Sequence, residues 1–521
     1  MQKTNTLLFA LLFIVHIVQG QNQNISNGNV FEGEPFLAVN PANPQNLVVA
    51  WMGFVLSSGV RPQIKTRSSY DGGNTWSDIV IMPHIQNTYQ SADPTMAFDE
   101  NGNLFLAYID YQKDPDEGAV FLFKSVNGGL NWTGPTEIIN ADADGTKLPI
   151  DRPWLTINET GQHLYLTTKP APWVPAPNRP YFCHSGDGGQ SWSSWQYLDG
   201  PGHLVGNLIA APMAAPAATG QLFFAAYPTY LFTQSIYPQY QLAKSSDFGN
   251  NFEYSEILSG TNPAGNDSAK LAYKLLVNPA NEQHLVFIYP YQPAGDIDIM
   301  MTETFDQGTN WSSPVKVNDD PLGNGKMQDM IWGDFGADGD LVISWRDRRN
   351  GTEAGYADGS DFYAAYRNKD SLNFSPNIKL SDLTVDYHNI LSQSGNDFMG
   401  VSLIHDTIYA VWGNTRDGSL DIWFTKKAVA SGTSSTTMLL GSESLDMVVY
   451  PNPSTGIYRI EYNDTIDVDL IRIFDQKGRL VRTLENPDKQ TTIDLSGFAN
   501  GIYLLECSGR SGTVSRIIEK W

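Results

Sequence analysis

Arg346, Asp347, Arg348 and Arg349 follow one another in the chain, and Arg416 with Asp417 comes seventy residues later. Guanidinium forks grip a carboxylate or sulfate through two parallel hydrogen bonds, so these loops point to an anionic ligand such as a sugar acid. The local alternative is that Asp347 and Asp417 pair with the arginines and only order the loops. Asn140-x-Asp142-x-Asp144-Gly145, with Asp151 eleven residues after Asn140, follows the spacing of an oxygen-ligand calcium loop. Asn stands where the first ligand is usually Asp, Asp where the last is usually Glu, and a run of Asx turns is the competing reading. His203, Tyr387 and His388 are candidate bases for proton abstraction, a chemistry that also needs a cation on the substrate carboxylate. A lone loop histidine is otherwise a solvated or capping residue. Trp154, Trp173 and Trp332 could stack on sugar rings, with core packing the alternative for Trp154 and Trp332.

The elements that position these residues follow from composition and periodicity. The 521 residues carry a net charge of −23, with 46 Gly, 30 Pro and 12% aromatic residues. Such a turn-rich, aromatic-rich chain with 41% apolar residues has ample material for many short strands and a core. The charge argues against a nucleic-acid partner. With two cysteines, Cys183 and Cys507, a disulfide scaffold and a cysteine zinc site are excluded. Lys3, the apolar run Leu7 to Val18 and Val18-Gln19-Gly20 read as a secretory signal over residues 1–20, cut before Gln21. No later run is long and apolar enough to span a bilayer, so the mature chain is expected outside the cell without a membrane span.

A turn motif recurs as Ser69-Tyr-Asp-Gly-Gly-Asn-Thr-Trp76, Ser125-Val-Asn-Gly-Gly-Leu-Asn-Trp132 and Ser185-Gly-Asp-Gly-Gly-Gln-Ser-Trp192, and more loosely at 245–252 and 304–311. Its Asp or Asn falls at 71, 127, 187, 247 and 306. The Asp or Asn should accept backbone N–H bonds, the glycines supply positive φ, and the aromatic bury between strands. In phase with it are seven strand-like runs beginning at Leu47, Leu104, Leu164, Leu222, Leu285, Leu341 and Ile408. Seven units of strand, turn, strand, loop, strand, Asp-type turn, strand predict an all-β fold, a seven-bladed propeller of four-stranded antiparallel blades over residues 21–428. Six blades is the alternative if the fourth or sixth unit is an insertion. A strand from the region Gln23 to Phe31 should complete the last blade.

The Ser-x-Asp-x-Gly-x-x-Trp copies resemble the Asp boxes, or BNR repeats, of the sialidase superfamily. The resemblance implies a propeller over about residues 25–428. It also implies three arginines on a substrate carboxylate, a tyrosine nucleophile assisted by glutamate, and an aspartate acid/base, which departs from the two-carboxylate scheme of other glycosidases. On that reading Asp93 is the acid/base, and Glu353 with Tyr356 or Tyr363 supplies the nucleophile pair. The Arg-Ile-Pro stretch common at the first inner strand is here Glu32-Gly33-Glu34-Pro35, without arginine.

After a polar linker at 429–445, residues 446–521 read as a small β-sandwich. Tyr450-Pro-Asn-Pro-Ser-Thr-Gly456, Ile473-Phe-Asp-Gln-Lys-Gly478 and Leu495-Ser-Gly-Phe-Ala-Asn-Gly-Ile-Tyr503 closely resemble the sorting domain of the type IX secretion system. This resemblance implies export across an outer membrane and the secretion machinery as a partner.

In a propeller the starts of the innermost strands and the second-to-third strand loops share one face, opposite the Asp-type turns. The residues to read there are Glu32, Glu34, Asp93, Asp151, Arg152, Asn207, Gln328, Asp329, Asn396 and Asp397 from the first set. From the second set come Asp110, Arg346, Asp347, Arg348, Arg349, Asn414, Arg416 and Asp417. Substrate contacts are assigned to Arg152, Arg346, Arg348, Arg349, Arg416 and Trp154. Three functions follow as expectations: a sialidase-like hydrolase on acidic extracellular glycans, a non-catalytic glycan- or protein-binding propeller, and a lyase on an anionic polysaccharide. None requires a cofactor, and calcium at Asn140, Asp142, Asp144 and Asp151 is the one ion the spacing suggests.

Overall fold

The computed structural model describes residues 22–28, 30–55, 61–140, 150–171, 178–205, 213–233, 235–259, 273–292, 294–351, 358–385, 396–429, 447–452, 454–462, 468–475, 479–509 and 512–521. The predicted signal, most of the linker, and Asp142, Asp144, Trp173, Asn207, Glu353, Tyr356, Tyr387 and His388 lie outside them. All described regular structure is strand, so no described helix is long and apolar enough to cross a membrane. The chain divides into two units, residues 1–432 and 433–521.

The larger unit holds seven four-stranded antiparallel sheets. Their innermost strands are Glu32–Val39, Gln90–Phe98, Ile150–Ile157, Met213–Pro216, Lys274–Asn278, Gln328–Phe335 and Met399–Ile404. Each innermost strand packs against the next, and the seventh packs against the first. The array is therefore a closed β-propeller. Each blade is covered on both faces by its neighbours, which is why its second strand reads as an unbroken apolar run rather than an alternating one. Leu47 to Trp51 and Leu164 to Pro170 are buried along their whole length.

The seventh blade, Met399–Ile404, Thr407–Asn414 and Asp421–Ala428, takes its outer strand from Gln23–Asn24. Flanking residues extend this clasp. Ile25 N donates to Ile422 O at 2.9 Å, and the Ser26 hydroxyl to Asp421 at 2.7 Å. Asn22 reaches Leu380 O in the sixth blade at 3.0 Å, and Arg67 of the first blade donates to Ile25 O at 2.6 Å.

The Asp-type turns work as their residue types predict. In the first, Asp71 accepts from Asn74 N and Thr75 N, while Ser69 Oγ accepts from Gly73 N at 2.8 Å. The Thr75 hydroxyl, then the Thr75 backbone N–H, bond the charged form and hold the Asp71 carboxyl down at about 2. Trp76 packs edge-on against Phe424 of the preceding blade, with ring centroids 5.1 Å apart. Gly73 has φ +80°, and a Cβ there would sit 2.4 Å from the Phe424 ring. Gly73→Ala is expected to destabilise the propeller by about 2–4 kcal/mol in denaturant unfolding, because it combines left-handed strain with overpacking. A loss below about 1 kcal/mol would show that the turn can move away from the blade.

The smaller unit is a two-sheet sandwich. Met447–Tyr450, Ile457–Tyr462 and Gln490–Asp494 form one sheet, and Leu480–Glu485, Leu470–Phe474, Gly501–Gly509 and Gly512–Lys520 the other. Tyr458, Ile460, Ile471, Ile473, Ile493 and Leu505 fill the space between them. Cys183 and Cys507 are both buried free thiols, each within its own unit.

Candidate functional site

Three innermost strands begin with the same device. Their ladders shift register at Gly33/Phe36, Ala92/Thr95 and Asp151/Trp154, and the residue at each bulge has positive φ. These residues are Glu34 (54°), Asp93 (56°) and Arg152 (50°), each followed by proline and spaced by 59 residues. The sixth blade repeats the bulge at Met330 (54°). A non-glycine residue held left-handed is strained, and its recurrence at one register position turns three polar side chains toward the hub. The strands thus begin several residues before the apolar runs Phe36 to Val39 and Trp154 to Ile157, and the polar residues belong to strand rather than loop.

Glu34 and Asp93 are 4% and 8% exposed, and their carboxyls are within hydrogen-bond reach of each other. Burial, then the Asp93 charge and its hydrogen bond, pushes Glu34 well above the usual glutamate range. Burial also raises Asp93. Asp93 reaches Asp151 as well, and accepts from Arg152 N at 3.3 Å. Asp151 is bound by Lys169 Nζ at 2.7 Å. The Arg152 guanidinium, 27% exposed, pairs with Asp397 and lies 5.2 Å over the Phe398 ring. Tyr111, partly exposed, is pushed up to about 12 by burial and by the charges of Asp93 and Asp151. Blades one, two, three and seven therefore build one carboxyl-rich cluster at the hub mouth.

Directly beneath lies an aromatic floor. Phe36, Trp154 and Trp332 each stand two residues after a bulge, with centroids 5.4–6.3 Å apart, and Phe398 meets Trp154 at 5.2 Å. Lys274 Nζ caps the Trp332 face at 3.8 Å. Trp154 is 6% exposed, so it serves as core and is not open to a sugar as the substrate assignment supposed. Trp332 is likewise 6% exposed.

The sixth-blade arginines are bound by protein carboxylates. Arg346 and Arg348 are fully buried and both grip Asp329, Arg346 Nε at 2.7 Å and Arg348 Nη1 at 3.3 Å. Burial raises the Asp329 carboxyl, and the two guanidinium charges more than reverse this, holding it at about 2. Arg349 bonds Asp347 at 2.8 Å and Asp319 at 2.5 Å. Arg416 pairs with Asp382 at 2.5 Å, not with Asp417, and lies 3.9 Å over the Trp423 ring. Local pairing, one alternative for these loops, is thus what Arg349 and Asp347 do, whereas the partners of Arg346, Arg348 and Arg416 lie on earlier segments of the chain.

The remaining candidates are dispersed. Asn140 is exposed and bonds Glu137 at 3.2 Å, while Asp151 is committed to Lys169. Among the described residues no three His, Cys, Asp or Glu side chains converge to hold a metal ion. Tyr363 is buried beneath Arg349 and accepts from Asn350 at 2.9 Å. His203 bonds Gln241 at 2.6 Å and stacks on Tyr254. Asp110 is fully buried, tied to His84 at 2.8 Å and Ser91 at 2.9 Å. The partnership of Glu34 with Asp93 escaped the sequence reading, although the 59-residue phase of the three residues before proline signalled it.

No curated protein matches the chain. A protein of unknown function from Dyadobacter fermentans DSM 18053 is similar in structure at 13% identity, covering 78% of this chain and 99% of that one, with a TM-score of 0.42. The phage phi92 endosialidase is similar at 10% identity over 96% of this chain and 87% of its own, with a TM-score of 0.45. The GH93 alpha-L-arabinofuranosidase of Fusarium graminearum is similar at 14% identity over 78% and 98%, with a TM-score of 0.39. Residues 448–520 match the secretion system C-terminal sorting domain. The C-terminal sandwich is thus a type IX sorting domain, and the chain is a protein exported across the outer membrane, to the cell surface or beyond.

Proposed function

We propose that the propeller is an extracellular glycan-acting hydrolase whose chemistry is done at the hub mouth, with Glu34 as proton donor and Asp93 as its carboxylate partner. The observation that carries this reading is the buried Glu34–Asp93 carboxyl pair, both raised by burial and Glu34 the more so, beside the partly exposed Arg152. Cleaving an acetal needs an acid for the departing oxygen and a negative charge near the developing oxocarbenium. Glu34 gives its proton to the leaving oxygen as the glycosidic bond breaks. Water adds to the anomeric carbon and passes its proton to Asp93. The pair then holds one proton as before, and exchange across their hydrogen bond resets it. The aspartate that the family resemblance marks as acid/base thus keeps the base half of that role, and Glu34 takes the acid half.

The sialidase-like part of the reading rests on Arg152, which pairs with Asp397 but is the most exposed of the five candidate arginines that the structure describes, whereas Arg346, Arg348, Arg349 and Arg416 are held by protein carboxylates and are more deeply buried. That same observation favours a second reading, a glycan-binding propeller without turnover. A panel of chromogenic aryl glycosides, run with an absorbance assay for unsaturated uronate products, separates them. Release of the aryl group supports hydrolysis. Uronate absorbance instead overturns it in favour of elimination, and silence in both with retained glycan-array binding favours the binder.

A further inference from the structure

The charges at the hub mouth decide which sugars it can hold, and this step rests on the glycan reading above. Glu34, Asp93, Asp151 and Asp397 face one another across four blades, and two cations stand among them. Both cations are committed. Lys169, with a side chain 2% exposed, is bound to Asp151, and Arg152 to Asp397. Glu34 Oε2 is buried without a hydrogen-bond partner, so the cluster keeps an unmet oxygen turned inward. A uronate or sialate carboxylate arriving here meets carboxyl oxygens and must compete with Asp397 for the guanidinium. An ammonium group meets more carboxyl oxygens than the two cations occupy, in a water-poor setting where each such bond is strong.

We propose that the hub mouth accommodates a sugar unit bearing a free amine, a 2-amino-2-deoxy sugar in its ammonium form, and discriminates against acidic sugars. The ammonium bonds the Asp93 and Asp397 carboxylates while the sugar ring rests toward Phe398. The direction opposes the acidic glycan that the arginine-rich loops suggest in the sequence, and its physical reason is that those arginines are spent inside the protein.

The test is calorimetric titration of the full chain at low ionic strength with glucosamine oligomers, N-acetylglucosamine oligomers and galacturonate oligomers. The glucosamine oligomer is expected to bind at least about tenfold more tightly than the acetylated one, with the advantage shrinking as salt is added. Galacturonate is expected not to bind. Asp397→Asn, which keeps the side-chain shape and frees Arg152, is expected to weaken glucosamine binding about tenfold and to bring in galacturonate binding. Galacturonate binding to the unaltered chain as tightly as glucosamine would overturn the charge preference and leave the glycan reading standing. Binding of none of the three would overturn the amino-sugar preference, and silence on the aryl glycoside panel and the glycan array as well would overturn both.

Discussion

Glu34→Gln is expected to remove turnover of any glycoside that the chain cleaves, by a factor of about 10² to 10⁴ in kcat/KM, the usual cost of losing a general acid. Glutamine keeps the shape and burial of the side chain but has no proton to lose to a leaving oxygen. A substrate with a very acidic leaving group, such as a dinitrophenyl glycoside, should recover most of the rate, since its departure needs no protonation. Equal rates for both proteins on an ordinary aryl glycoside would remove Glu34 from the chemistry. The pH profile adds a second measurement. The rate should fall on the alkaline side as Glu34 loses its proton, and that limb should vanish in Glu34→Gln.

The same buried acids set the sign of the stability profile. Glu34 and Asp93 are raised by burial, and Asp334 is raised by burial to about 6. An acid raised on folding binds its proton more tightly in the native state, so native chains hold more protons than unfolded ones at intermediate pH. Stability therefore falls as pH rises from the ordinary carboxylate range near ~4 through the raised values. The melting temperature is expected to be higher at pH 5 than at pH 8, and the difference to narrow in Glu34→Gln. Asp71, Asp187, Asp306 and Asp329, held at about 2, act oppositely only in stronger acid. His163 and His184, lowered by burial, pull the other way below about pH 7, so the hub acids are read from the comparison: a pH 5 to pH 8 difference unchanged in Glu34→Gln would contradict their raised state.

Asp329→Asn should give the largest loss of stability. Two fully buried guanidinium groups share this one carboxylate, and neutralising it leaves their charges without that counter-ion. Breaking a buried ion pair from one side costs about 3–5 kcal/mol. Urea unfolding at neutral pH measures it, and the triple change Asp329→Asn, Arg346→Met, Arg348→Met should recover most of the loss by removing the stranded charges. A single-variant loss below about 1 kcal/mol would mean that other acceptors already carry both arginines.

The architecture was legible because propeller blades repeat their local chemistry. The turn at Asp71 satisfies its own backbone, and Leu47 to Trp51 is continuously apolar because two neighbours cover it. The site was only half legible. Asp93 and Glu34 were visible as hub-face residues, but which carboxyl meets which depends on the hub closing through space. The arginines misled for the same reason. Asp329 lies seventeen residues before Arg346, on the adjacent strand, and nothing in the loop around Arg346 to Arg349 announces that partner. Trp154 follows the Arg152 bulge by two residues, and that pleat turns it under the mouth instead of into it.

The clasp of Gln23 and Asn24 onto Trp423 and Phe424 has a consequence for the order of assembly. Gln23 and Asn24 have no mate until roughly four hundred more residues have followed, so the circle cannot be sealed progressively. A nascent chain halted anywhere before the last blade remains a row of sheets with two raw edges, each a template for pairing with another chain. Completion is thus deferred to one late, long-range event, and sequestering the leading segment until then would hold the whole wheel open.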